Sequence, residues 1–88
     1  MERKKAAALK YERGEGVPKV VAKGEGSVAE KIVELARESG VPVLEDRELV
    51  ELLIGVEVGK EIPPELYKAV AKILAYVYRL TGRLPKSP

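Results

Sequence analysis

The residues best placed to do chemistry lie in "GEGSVA", residues 24–29, which fits G-x-G-x-x-A between an apolar run and a helical one. Glycines at that spacing let a backbone approach a pyrophosphate, and the helix N-terminus beyond them attracts it. Glu45 follows about 20 residues on, where a ribose-binding carboxylate belongs in such a fingerprint. Three features oppose this reading. Glu25 sets a negative charge inside the turn, and Ser27 with Glu30 forms a capping box that claims the same N–H groups. Beyond Glu45 there are no further strand–helix–strand units to build the other wall of a nucleotide crevice. A glycine turn that reverses the chain is favoured, no cofactor is expected, and a degenerate dinucleotide enzyme is only the third reading.

Other chemistry is thinner. Glu45, Asp46 and Glu48 make a carboxylate cluster able to chelate Mg²⁺ or Ca²⁺, but acids at a helix start complement its dipole and explain them better. No metal site is expected. Histidine and cysteine are both absent, so the hydroxyls of Ser27, Ser39, Ser87 and Thr81 have no partner base, and no catalytic residue is assigned. The lack of cysteine also removes disulfides and fits a reducing compartment.

The elements that must position these residues follow from pattern. In "KKAAALKYE", residues 4–12, Ala7, Leu9 and Tyr11 alternate with Ala6, Ala8 and Lys10, which predicts a strand with one buried face despite helix-favouring composition. "KVVAK", residues 19–23, predicts a second strand. Val28, Ile32, Leu35 and Ala36 predict a helix that Gly40 ends. "VPVLE", residues 41–45, predicts a third strand and hence a right-handed strand–helix–strand crossover. Asp46 caps a short helix through Leu49, Val50, Leu53 and Ile54, and "VEVGKEI" is a connector with some strand character. Pro63 and Pro64 open a last helix that runs to about Leu80, with Leu66, Val70, Ile73, Leu74 and Val77 as its apolar stripe. Tyr67, Ala71 and Tyr78 widen that stripe. The expected fold is a small α/β domain: a mixed sheet of three to four strands packed with three helices. Residues 1–5 form a basic extension, 6–82 the domain, and 83–88 a frayed tail.

With 88 residues the chain supports one small core. Asparagine, glutamine, phenylalanine and tryptophan are also missing while Glu and Lys abound, which suggests a thermophilic source. No apolar run is long enough to span a membrane. The net charge of +2 conceals segregation: residues 1–24 carry +4, residues 25–65 carry −7 and residues 66–88 carry +5. The basic ends with Tyr11, Tyr67, Tyr76 and Tyr78 make a nucleic-acid-binding module the alternative reading, although solvated charged faces explain the pattern better.

The ordered set "ALKY", "VPKVVAKG", "GVPVLE" and "VGKEIPPELYKAVAKILAYVYRL" resembles the cytoplasmic domain of FlhB and its relatives, the substrate-specificity switch proteins of flagellar and virulence type III export machines. The similarity runs from about Ala6 to Leu80. In that family "ALKY" belongs to a strand directly after an Asn-Pro-Thr-His turn at which the protein cuts its own backbone. Here "MERKK" precedes Ala6 and the sequence holds no asparagine, so the resemblance implies a chain that does not cleave itself. It implies the equivalent of the C-terminal fragment left after cleavage, made as a separate protein and similar to short stand-alone FlhB-like proteins.

The expected function is therefore non-enzymatic: a cytoplasmic component working at the membrane-embedded export apparatus, with no nucleic acid and no transmembrane segment. Its expected partners are the cytoplasmic region of the export gate membrane protein and export substrate subunits. Two sites follow from the resemblance. A small hydrophobic patch that receives export subunits maps onto Val17, Pro18, Ala71 and Leu74. An unpaired edge at Ala6, Ala7, Ala8, Leu9, Lys10 and Tyr11 is available for strand docking, or is guarded against it by Lys4, Lys5 and Lys10. One departure stands out, since Glu51 and Ile54 occupy positions where relatives often carry arginine and tyrosine.

Overall fold

The structure, a computed structural model, describes residues 3–11 and 16–81. Strand β1 (Lys5–Lys10) pairs antiparallel with β2 (Lys19–Glu25), and the alternation in "KAAALK" does produce a strand rather than a helix. Ala7 and Leu9 pack against the core cluster, while Ala6 is buried at 8% exposure. Burial overrides the helical preference of alanine and lysine because helices cover the sheet. The register shifts between Ala8 and Leu9, so Val21 is an extra residue bulged out of the ladder, half exposed.

Three helices follow: α1 (Ser27–Glu38), α2 (Arg47–Ile54) and α3 (Tyr67–Thr81), the last entered through a 3₁₀ turn at Pro64–Leu66. Gly40 takes φ +74°, and the N–H groups of Gly40 and Val41 reach back to Arg37 and Ala36 carbonyls at 3.2 and 2.8 Å. This is the paired 5→2 and 6→1 bonding of a Schellman stop, with glycine where the left-handed residue is needed. Pro63 precedes the last helix and Pro64 begins its 3₁₀ entrance, where a missing N–H costs least.

Three expectations are corrected. The capping box does not form: α1 starts from Gly26, at φ 62°, and Ser27 is already inside the helix with no side-chain cap. Residues 41–45 are not a strand. They carry a proline without an N–H and find no ladder partner among the described residues, so the strand–helix–strand crossover is not built. Among the described residues the sheet therefore has two strands, and the three or four expected are not found there. The strand character expected of "VEVGKEI" survives as one antiparallel bridge, Lys19 to Glu61, outside its "VEV" portion. There Val20 donates to Lys60 O at 3.0 Å, Gly59 donates to Val20 O at 2.7 Å and Ile62 donates to Pro18 O at 3.0 Å.

The core joins Val20, Leu49, Leu53, Ile62, Leu66 and Val70. Along α3 burial fades from Val70, at 1% exposure, through half-buried Ile73 and Leu74 to Leu80, at 59%, so the far end of this helix stands clear of the core. The frayed tail, at residues 83–88, lies outside the described residues.

Asp46 does cap α2: its Oδ1 accepts from the Leu49 N–H at 2.9 Å. Replacing it with alanine leaves that N–H without its partner. Asp46→Ala is expected to cost about 1 kcal/mol, seen as a melting temperature lowered by roughly 4–8 °C. An unchanged melting temperature in calorimetry would show that solvent serves as well as the carboxylate.

Candidate functional site

The exposed edge of β1 is the feature most capable of function. Gly26 N–H donates to Lys4 O at 2.7 Å, which continues the β1–β2 ladder and makes residues 4, 6 and 8 the ones bonded inward to β2. By the alternation of antiparallel pairing, the backbone groups of Lys5 and Ala7 point the other way. No other strand pairs with β1 among the described residues, whereas β2 has residues 59–62 on its far side. Among the described residues the sheet is thus paired on the β2 side and has no further strand on the β1 side. An open edge can template an added strand.

Charge surrounds this edge. Lys4 and Lys10 are exposed, and Lys5 Nζ sits 2.5 Å from Glu51 Oε2 of α2. The reversed charge at Glu51 is therefore answered within the chain, by a lysine of the edge strand. Ile54, also on α2, is half-buried.

The hydrophobic patch is distributed differently. Pro18 is buried and its carbonyl is engaged by Ile62, Val17 and Leu74 are half-buried against the core cluster, and Ala71 alone of the four is exposed. Val17 and Leu74 pack against the core cluster that joins Val20 of β2 to Val70 of α3. Of the edge residues, Ala6 is buried, Ala7, Ala8, Leu9 and Tyr11 are half-buried and Lys10 is exposed, with Tyr11 just past the strand.

The glycine turn of residues 24–29 has a steric purpose. A Cβ on Gly24 would overlap Val28, so glycine lets the first turn of α1 lie directly on β2. Asp46 uses its carboxylate on its own helix, and among the described residues no group of three or more acidic side chains gathers as a metal cage.

Lys23 is the residue that pattern reading missed. Its ammonium donates to Ile54 O and Val56 O, both at 2.7 Å, and so closes the C-terminal end of α2 from the sheet. The signal was a lysine inside β2, after the apolar run Val20–Ala22 and directly before Gly24.

Comparison with known proteins gives a consistent result. Residues 4–77 match the FlhB HrpN YscU SpaS Family. The chain is 45% identical over 78 residues to the uncharacterized protein YlqH of Bacillus subtilis, covering 88% of this chain and 84% of that one. It is 54% identical over 74 residues to the flagellar biosynthetic protein FlhB of Aquifex aeolicus, covering 82% of this chain and 21% of that one, so it spans about a fifth of that relative. Among solved structures it is similar to the cytoplasmic domain of FlhB from Shewanella putrefaciens, with TM-score 0.80 and 33% identity over 96% of this chain and 74% of that one. It is also similar to the PscU C-terminal domain, with TM-score 0.77 and 32% identity over 88% and 98% of the two chains. No helix among the described residues is long and apolar enough to cross a membrane.

Proposed function

The chain belongs to the FlhB HrpN YscU SpaS family, and on that premise we propose that it works by contact in a flagellar or type III export apparatus, as an equivalent of the C-terminal fragment its full-length relatives produce. It turns over no substrate. The sequence has no asparagine and no histidine, so no side chain is present that can cut the main chain in the manner of the Asn-Pro-Thr-His turn.

The observation that carries the proposal is the open edge of β1. The cytoplasmic region of the export gate membrane protein supplies a strand to Ala6, Ala7, Ala8, Leu9, Lys10 and Tyr11, and the ladder that is one-sided among the described residues becomes two-sided. Export subunits meet the surface around Ala71, with Val17, Pro18 and Leu74 giving that surface its shape from beneath. The site of action is the cytoplasmic face of the membrane-embedded apparatus.

Hydrogen exchange tests this. The chain is mixed with the cytoplasmic portion of an export gate protein lacking its own switch fragment, and the Ala7 amide is expected to exchange about tenfold or more slowly than in the free chain, because a new hydrogen bond closes it. Binding without slowing at Ala7 would move the contact to another face. No binding to any gate component would overturn the export role itself.

A further inference from the structure

Along α3, Lys68, Lys72, Tyr76 and Arg79 follow at i, i+4, i+8 and i+11, and all four are exposed. They form one ridge about 16 Å long, roughly three helical turns. The chain has no acidic residue after Glu65, and none of these three cations forms an ion pair among the described residues. Beside the ridge runs a groove with an apolar floor of Leu44, Ala69 and Ile73. Lys72 and Tyr76 make one lip, and Glu45 and Asp46 make the other.

We propose that this groove docks an amphipathic helix of a partner protein, one whose apolar face is flanked by carboxylates along one edge and basic side chains along the other. The charges of the two lips select this occupant. A uniformly anionic ligand, whether nucleic acid or a bilayer of acidic lipid, satisfies the Lys68–Lys72–Arg79 ridge but is repelled by Glu45, and Asp46 adds to that repulsion even while capping α2. A helix with opposite charges on its two edges satisfies both lips, while its i, i+3, i+4 and i+7 side chains fill the floor between them. The surface is separate from the β1 edge, so the proposal stands independently of the strand docking described above.

The test uses a fluorescent synthetic peptide of about 18 residues, long enough to form a helix, with a leucine face, glutamates on one flank and lysines on the other. Anisotropy titration is expected to show saturable binding, weakened about tenfold or more by Lys68→Glu with Lys72→Glu. Glu45→Lys should weaken it as well. A peptide with serines in place of leucines should lose binding. All three substituted residues are exposed, so circular dichroism should report an intact fold. Equal affinity for wild type and the double variant overturns the proposal, as does binding that survives loss of the leucines. Tighter binding of phosphatidylglycerol vesicles or single-stranded DNA than of the peptide overturns it in favour of those ligands.

Discussion

Gly24→Ala is expected to destabilise the domain by about 1–3 kcal/mol, through overpacking rather than through any lost contact. The added methyl would stand 2.8 Å from Val28 Cβ and closer still to its Cγ1. Val28 cannot simply swing aside, because the Cβ is fixed by the backbone of the first turn of α1. That turn is itself tied to the sheet, since Gly26 N–H bonds to Lys4 O at 2.7 Å. The strain must therefore spread into the β1–β2 ladder or lift the start of α1 off the strand. For a domain of this size a loss of about 2 kcal/mol lowers the melting temperature by roughly 8–16 °C.

A second substitution identifies the cause. Val28 is 53% exposed, so Val28→Ala alone should cost little. Combined with Gly24→Ala it removes the Cγ1 overlap and leaves the Cβ contact, and part of the stability should return. Such non-additivity is what direct contact predicts. Strictly additive effects in urea titrations would mean that Gly24 is required for something other than the approach of helix to strand.

Which parts of this architecture were legible depends on how local their causes are. Asp46, Gly40 and Pro63–Pro64 were readable because capping, left-handed stops and helix entry involve a few consecutive residues. The β1 strand was readable in kind against its composition, but not in its facing: Ala6, expected on the open face, is its buried residue, while Ala7 and Leu9 are half-buried. The strand expected at residues 41–45 failed because an apolar pattern specifies a covered segment, while a strand needs a ladder partner that pattern does not reveal. Ser27 failed as a cap because Gly26, at positive φ, starts the helix one residue earlier. Resemblance pointed to the edge strand and to Val17, Pro18, Ala71 and Leu74, but the burial of Pro18 and the Lys5–Glu51 pair depend on segments far apart in sequence.

Lys23 shows the same limit with the larger energetic consequence. Helix α2 has only eight residues, a length that is marginal without tertiary support, so its ends matter more than its interior. Asp46 serves the first turn. At the other end Gly55 has ordinary right-handed dihedrals, φ −76° and ψ −8°, and makes no left-handed stop. The Ile54 and Val56 carbonyls turn instead to the Lys23 ammonium, which also favours the negative end of the helix dipole. Lys23→Met keeps most of the aliphatic stem and removes both charge-assisted bonds from a partly buried site, for an expected loss of roughly 2–3 kcal/mol.

The ion pair of Lys5 with Glu51 supplies the contrast. Glu51 has a side chain 59% exposed, and Glu51→Gln is expected to cost less than about 1 kcal/mol. Salt separates the two further, because in about 1 M salt exposed charges are screened within about 3 Å while the carbonyl bonds of Lys23 are short and sheltered. The effect of Glu51→Gln should fade there and that of Lys23→Met should persist. Local exchange gives the final discrimination: in Lys23→Met the amides of α2 should lose protection before those of β1 and β2, since the helix is released from the sheet at one end only. If the two variants match in size and in salt response, Lys23 is a surface charge and α2 is held by its apolar face alone.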